Sequence, residues 1–387
     1  MSLVHVVLLE HDEAELLYPF SLTHGAWELR AGYYTIAERW SVAVPECRVH
    51  VHSHRTNVLE AYLSVCKERH AYDGGPTLLV LANLVLSPSS MHALVRLCRS
   101  STSAVHIMIG GQTVGVYLPD HQGSLDDIPT AVDGIAGDAV DSVHVEGHVI
   151  NRLWQILDRI ADAVAWDAKL LGTKVHASAS VHPTAVLDET AGPVVIGSHA
   201  EVGPLCVLQG PVVLGDHSVL KPHSHIRETI TGPHCRISGE ISGTVFQSYS
   251  NKQHAGFVGN SYIGSWVNLG AGTTTSNLKN TYSNVKPRLP WGREDSQRMF
   301  LGSLIGDYTR TAIGTLLPTG GVYGACVAIF QTSPAYSSNR SFMWDDQRYE
   351  LDKAIETIAK VMSRRNQTLT EPQLRLLTDV CDQDAAA

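Results

Sequence analysis

Paired cysteines are what this 387-residue chain lacks. Cys47, Cys66, Cys98, Cys206, Cys235, Cys326 and Cys381 are scattered, odd in number and free of any C-x-x-C pair, which favours reduced thiols in a cytoplasm. Positive charge is also short: 29 Lys and Arg face 38 Asp and Glu, for a net charge of −9 and a pI near 6.1. A general nucleic-acid binder would show a basic face, so the charge argues against that class, local basic sites aside, and no nucleic-acid partner is expected. The sequence shows no signal-peptide pattern and no long apolar span, so the expectation is a cytoplasmic protein without a membrane partner. What remains is a chain too long for one ordinary domain, with 44% hydrophobic residues, enough for two cores and a tail.

The most regular feature runs from Val175 to Ile329. Val175 and Val181 open a six-residue period, Ile196, Val202, Leu208, Leu214 and Leu220 continue it, and Ile263, Leu269 and Thr275 extend it. Ile305, Thr311, Leu317, Tyr323 and Ile329 resume it after a break. A period of six, with small or polar residues following, marks a parallel β-helix whose coils lack a core until they stack. With three hexads per coil, residues eighteen apart lie one above the other at roughly 4.8 Å.

Before residue 170, short apolar runs alternate with helical patterns, the α/β signature. Strands are expected at Val4–Leu9, Thr77–Leu81, Ala104–Ile109 and Thr113–Leu118, and helices at Asn57–Lys67, Met91–Arg99 and Asn151–Leu170. Leu171-Gly172-Thr173 is the expected boundary, giving domains 1–170 and 171–332 and a helical tail 333–387. Lys279 to Met299 breaks the register with Pro287, Pro290 and Gly292 and reads as a projecting loop. Its Lys279, Lys286, Arg288, Arg293 and Arg298 suit either a phosphate-bearing ligand or a solvated surface. In the tail, Leu351, Ile355, Ile358 and Met362 form one helical stripe, and Thr370 with Pro372 starts a second short helix. Such helices cover an open β-helix end.

Tyr262-Ile263-Gly264-Ser265-Trp266-Val267-Asn268-Leu269-Gly270-Ala271-Gly272-Thr273 resembles the Y-[LI]-G…N-[IL]-G-A-G-T core of the bifunctional enzymes that make UDP-N-acetylglucosamine. In these an N-acetylglucosamine-1-phosphate uridyltransferase is joined to a glucosamine-1-phosphate acetyltransferase, and the chain looks like their related sugar nucleotidyltransferase subgroup. Leu16 to Thr23 and Glu28-Leu29-Arg30-Ala31-Gly32 resemble the start of the nucleotidyltransferase fold. The resemblance implies an α/β nucleotidyltransferase-like domain, a left-handed parallel β-helix of hexapeptide repeats and a homotrimer. It implies acyl transfer to an amino sugar phosphate or nucleotide sugar, with acetyl-CoA as donor. Tyr262 and Asn268 match sugar-binding positions, and Ala271, Asn277 and Ser303 match acetyl-CoA contacts. Asn83 and Asn151 match the positions that hold Mg²⁺, and Arg30 is a candidate phosphate partner or a surface ion pair.

The chain also departs from that pattern. Acyl transfer to an amine needs a proton acceptor within hydrogen-bond reach. The family places a histidine just before the tyrosine, where Gly259-Asn260-Ser261 stands here. Asn260 donates and accepts hydrogen bonds but takes no proton. His254 is the nearest substitute, or else a polar surface histidine. In the front domain the glycine loop that would cradle phosphates is replaced by Glu10-His11-Asp12-Glu13-Ala14-Glu15, whose acidic run would repel them. Ala82-Asn83 stands where a Gly-Asp would supply a carboxylate to the metal. Nucleotidyltransferase activity is therefore expected to be weak or absent.

Twenty histidines offer a rival signal, because hexapeptide β-helices also include trimeric zinc enzymes. His199 and His217 should stack on consecutive coils, with His234 or Cys235 next. Zinc needs three or four ligands at about 2.0–2.3 Å, which a straight column does not close by itself, so a surface ladder is the alternative. A non-catalytic nucleotide-sugar-binding scaffold is the third reading.

Overall fold

A computed structural model describes residues 3–127, 141–330 and 335–386. Contacts divide the chain into two units: Met1–Ala14 with His24–Leu29 and Tyr34–Asn151, and Glu15–Thr23 with Arg30–Tyr33 and Arg152–Ala387. The tail boundary expected at 332/333 falls outside the described residues.

The first unit is built on a six-stranded mixed sheet, in the order Arg48–His52, His5–Leu9, Gly75–Leu81, Gln112–His121, Val105–Ile109, Asp141–His144. His5–Leu9 runs parallel to both its neighbours. Val6, Val7, Leu8, Leu78, Leu79 and Val80 are all buried, as continuous apolar runs in a parallel sheet covered on both faces require. Gln112–His121 returns antiparallel, through the Gly110-Gly111 turn with both residues at positive φ. Helices Ile36–Ala43, Thr56–Val65 and Pro88–Ser100 complete the unit. Thr35 caps the first by accepting from the Glu38 N–H at 3.2 Å, and Ser87 caps the third by accepting from Ser90 at 3.1 Å, with Pro88 just inside.

The second unit is a parallel β-helix. Val207 lies opposite His225, eighteen residues on, and Leu304 opposite Val322, again eighteen. Between them the coils tighten. Ile230 pairs with Val245 and Arg236 with Asn251 at fifteen, and Glu240 with Phe257 at seventeen. These shortened coils hide the hexads between Ile226 and Ile263, because Ile237, Ile241 and Phe246 are fully buried but out of a strict six-residue step. They fill one continuous core with Val202, Leu220, Ile263, Ile305 and Ile329. Register then jumps from Tyr262 to Leu304, forty-two residues, and the excess is the segment expected to project. That segment carries a small hairpin, Arg288–Leu289 against Gly292–Arg293. Two of its five cations are matched by carboxylates, Lys286 by Asp295 at 3.6 Å and Arg298 by Asp158.

One corner of the tube repeats at positive φ in His199, His217, His234, Tyr249, Trp266, Tyr308, Cys326 and Phe342. The first five stack ring on ring, with centroids 5.0, 4.9, 4.6 and 4.2 Å apart and planes within 16°. His234, not Cys235, continues the histidine column; Cys235 is buried in the core.

The helix expected over Asn151–Leu170 is instead a 3₁₀ stretch, Leu153–Arg159, followed by an α-helix, Ile160–Leu171. Gly172, at φ 67°, closes it in the left-handed conformation that glycine adopts without a Cβ penalty. In the tail, Leu351–Ser363 buries Ala354, Ile358 and Met362, and Glu371–Ala386 covers the last coils, with Asp384 accepting from the Ser341 N–H.

Candidate active site

A cavity of about 420 Å³ in the β-helix unit is built by three successive coils at another corner. Arg227, Ser242 and Gly259 stand in register across neighbouring strands. The residue after each turns the corner at positive φ: Glu228 at 45°, Gly243 at 59° and Asn260 at 44°. Gly243 suits this corner, since a Cβ would meet the Asn260 amide nitrogen at 2.7 Å and push that side chain aside. Its bare backbone leaves a gap between the side chains of Glu228 and Asn260, and the cavity occupies that corner.

Asn277 closes one wall by donating from Nδ2 to Asn260 Oδ1 at 2.8 Å. Arg227 donates from Nε to Ser242 Oγ at 2.9 Å, leaving the rest of its exposed guanidinium without a partner among the described residues. Arg298 with its partner Asp158, and the exposed Met299 and Phe300, complete the lining with Phe257. Glu228 has no hydrogen bond or ion pair among the described residues, whereas Asp158 is taken by Arg298. Arg227 and Glu228 were missed in the sequence because nothing in a hexad pattern distinguishes a corner that faces a cavity from one that faces water, and Asp158 because it lies in the 3₁₀ stretch before the coils.

Of the other residues singled out in the sequence, most are held elsewhere. His254 is exposed and does not line the cavity; only its backbone carbonyl is engaged, by Lys252 Nζ at 2.5 Å. Tyr262 is fully buried, its hydroxyl donating to Gln247 Oε1 at 2.9 Å and its ring edge-on to Phe20, so it offers no atom to a ligand of the single chain. Ser303 is also fully buried, with its Oγ unpartnered. Ala271 is half-buried, and its carbonyl accepts from Gly314. Asn268 is exposed on a different face, bridged to Asn251 and Arg310. Arg30 is buried, and its Nε and Nη1 donate to the carbonyls of Gln247 and Tyr33, satisfying buried backbone.

In the first unit the structure brings Asn83 and Asn151 together, Asn83 Nδ2 donating to Ile150 O at 3.0 Å and lying 3.5 Å from Asn151 Oδ1. Two neutral amides, one turned N–H outward to carbonyl oxygens, do not fit a hard divalent cation that seeks carboxylates. Among the described residues no group of three or more His, Cys, Asp or Glu could hold a metal. The acidic run also differs from expectation at Glu10. Its buried carboxylate accepts from Arg55 at 2.6 and 3.0 Å, from Ser53 at 2.6 Å and from the Ala26 N–H at 2.7 Å. That charge is neutralised inside the unit and is not presented to a ligand.

Both parts of the chain are recognised separately. Residues 6–175 match the family described as sugar nucleotidyl transferase, and residues 193–228 match the bacterial transferase hexapeptide of six repeats, so the chain joins a domain of the first family to repeats of the second. Over 142 residues it is 37% identical to a bifunctional sugar-1-phosphate nucleotidylyltransferase/acetyltransferase of Sulfurisphaera tokodaii, covering 36% of this chain and 35% of that protein. It is 27% identical over 164 residues to the bifunctional protein GlmU of Bordetella parapertussis, covering 37% and 33%. The chain thus spans about a third of the length of these curated relatives. Among solved structures, the acetyltransferase domain of PglB from Neisseria gonorrhoeae is 19% identical over 38% of this chain and 82% of its own, with a TM-score of 0.20. The polySia-specific acetyltransferase NeuO is 11% identical over 50% and 98%, with a TM-score of 0.27.

Proposed function

We propose that the β-helix unit transfers an acyl group from acetyl-CoA to an amino sugar phosphate or nucleotide sugar at the cavity beside Asn260 and Asn277, in a cytoplasmic homotrimer. The observation that carries this reading is the cavity itself, which sets an unpartnered carboxylate and an available guanidinium around two mutually ordered amides. Arg227 suits a phosphate, as guanidinium forks match its oxygens. Asn260 and Asn277 suit sugar hydroxyls or the acyl carbonyl. In the transfer, the sugar nitrogen forms its bond to the acyl carbon as the bond to sulfur breaks, and the nitrogen's proton must leave. Glu228 is the lining carboxylate with capacity to accept it, and Asn260 has none. Relatives whose names include acetyltransferase and nucleotidylyltransferase support the class of reaction.

For the front unit we propose nucleotide-sugar binding with little or no turnover, supported by the Asn83–Asn151 amide pair and the inward-turned Glu10. The test is thiol release from acetyl-CoA with glucosamine-1-phosphate, run beside pyrophosphate release from UTP or dTTP with a sugar-1-phosphate and Mg²⁺. Thiol release that falls roughly 10²-fold or more in Glu228→Gln and little in His254→Ala is the expected result. Pyrophosphate release should be at least about a thousandfold below a competent enzyme, roughly 4 kcal/mol of transition-state stabilisation. No thiol release and no acetyl-CoA binding would replace the catalytic reading with the scaffold.

A further inference from the structure

A second cavity in the β-helix unit, about 150 Å³, lies between the last coils and the helix Leu351–Ser363. Arg310, Ala328 and Trp344 follow one another in register on consecutive strands. Arginine and tryptophan are thus about two strand spacings apart, roughly 10 Å, with only a methyl group between them. Trp344 is braced on both sides, stacked on Phe330 at 4.7 Å and edge-on to Tyr349 at 5.2 Å, and the Tyr349 hydroxyl is held at 3.2 Å by Thr357 of the helix. The recess is therefore walled by fixed aromatic rings and was not prepared by any hexad feature.

Arg310 is the charged group of this lining, and no carboxylate shares it. Its guanidinium makes no hydrogen bond or ion pair among the described residues. Half-buried arginine without a counter-ion is uncommon, since a charge removed from water is ordinarily paired. Burial lowers its pKa, which says the surroundings already disfavour the isolated cation.

We propose that this cavity binds a small organic carboxylate with a flat apolar body, its carboxylate on Arg310 and its body against Trp344. The guanidinium fork matches a carboxylate in two parallel bonds, and the aromatic walls favour a planar partner. At about 30 Å³ per displaced water, the volume holds a ligand the size of roughly five waters, which suits a single ring and excludes a nucleotide.

The experiment uses the full chain and ligand-observed NMR with benzoate, benzamide and inorganic phosphate as probes. Benzoate should bind, with benzamide and phosphate each at least about tenfold weaker, because one lacks the charge and the other the apolar body. Arg310→Met should weaken benzoate by about tenfold or more, and Arg310→Lys by less. Ala328→Leu fills the recess without touching the charge and should also abolish binding, which keeps the test valid if the arginine variant folds poorly. No benzoate binding to the folded parent, equal binding of benzamide or phosphate, or binding that survives Ala328→Leu would overturn the proposal. If benzoate fails and Arg310→Met instead changes the sedimentation of the protein, the guanidinium serves a contact between copies.

Discussion

Asn277 holds Asn260 by its side-chain oxygen at 2.8 Å, although the two are seventeen residues apart. That bond fixes which way the Asn260 amide faces, and Gly259 makes room for it: a Cβ there would meet Asn277 Nδ2 at 2.7 Å and the Phe257 ring at 2.4 Å. A histidine at 259 would therefore clash with both. At 260 the backbone suits a histidine, because His199, His217, His223 and His234 already occupy positive-φ corners of this tube. Asn260→His is expected to fold and to raise acyl transfer, read as thiol release. A fall in rate with unchanged thermal stability would show that the cavity needs the amide.

The pair itself should couple. Asn260→Ala, Asn277→Ala and the double variant, compared by urea unfolding, are expected to give an interaction of about 1 kcal/mol. Strict additivity would mean that the bond contributes nothing.

Glu10 and Arg55 make the opposite kind of pair, buried and fully engaged. Arg55→Ala strands a carboxylate that is 3% exposed, so a loss of roughly 3–5 kcal/mol is expected by denaturant unfolding. Replacing Glu10 and Arg55 together by apolar residues should cost much less.

His50 sits beside His5, Nδ1 of His5 lying 2.9 Å from Nε2 of His50, and burial first and then the neighbouring His5 push the His50 pKa down to about 4. His5 is lowered too, chiefly by burial. The unfolded chain then binds protons that the folded one refuses, so stability is lost as pH falls from about 6.5 towards 4. Relative to His50→Gln, the parent should lose about 2–3 kcal/mol across that window. Parallel pH profiles of the two proteins would refute it.

Lys252 fills an inward position one coil above Ile237, its Nζ donating to the carbonyls of Ser238 and His254 at 3.2 and 2.5 Å. Burial lowers its pKa to about 8. Between there and the ordinary value of 10.5 the unfolded state binds more protons, so the parent should gain stability relative to Lys252→Met as pH rises through that range, by up to roughly 3 kcal/mol. Unfolding curves at pH 7.5 and 10 decide it.

The tube was legible in the sequence wherever its coils are eighteen residues long, because each inward position then repeats every six. It faded where coils shorten to fifteen or seventeen, and there Ile237, Ile241 and Phe246 keep the core without keeping the count. The histidine column was legible for the same reason, but its continuation into Tyr249 and Trp266 crosses the short coils and was not. The active-site candidates show another limit. A motif names residues, and burial decides what they do: Tyr262 became core, Arg30 a backbone clamp, and Glu228 entered through a corner that no periodicity marks.

Each turn of the tube brings the same three corners back into line, so the chain cannot absorb a single added residue within a strand without turning its inward side chain outward. Length changes at the corners instead, by the one or three residues that the seventeen- and fifteen-residue coils lack, by whole turns, or by an excursion as between Thr275 and Leu301. The fold is thus indifferent to how long it is and strict about strand phase, and relatives that differ in size should differ by complete coils or by what a bend gains or loses.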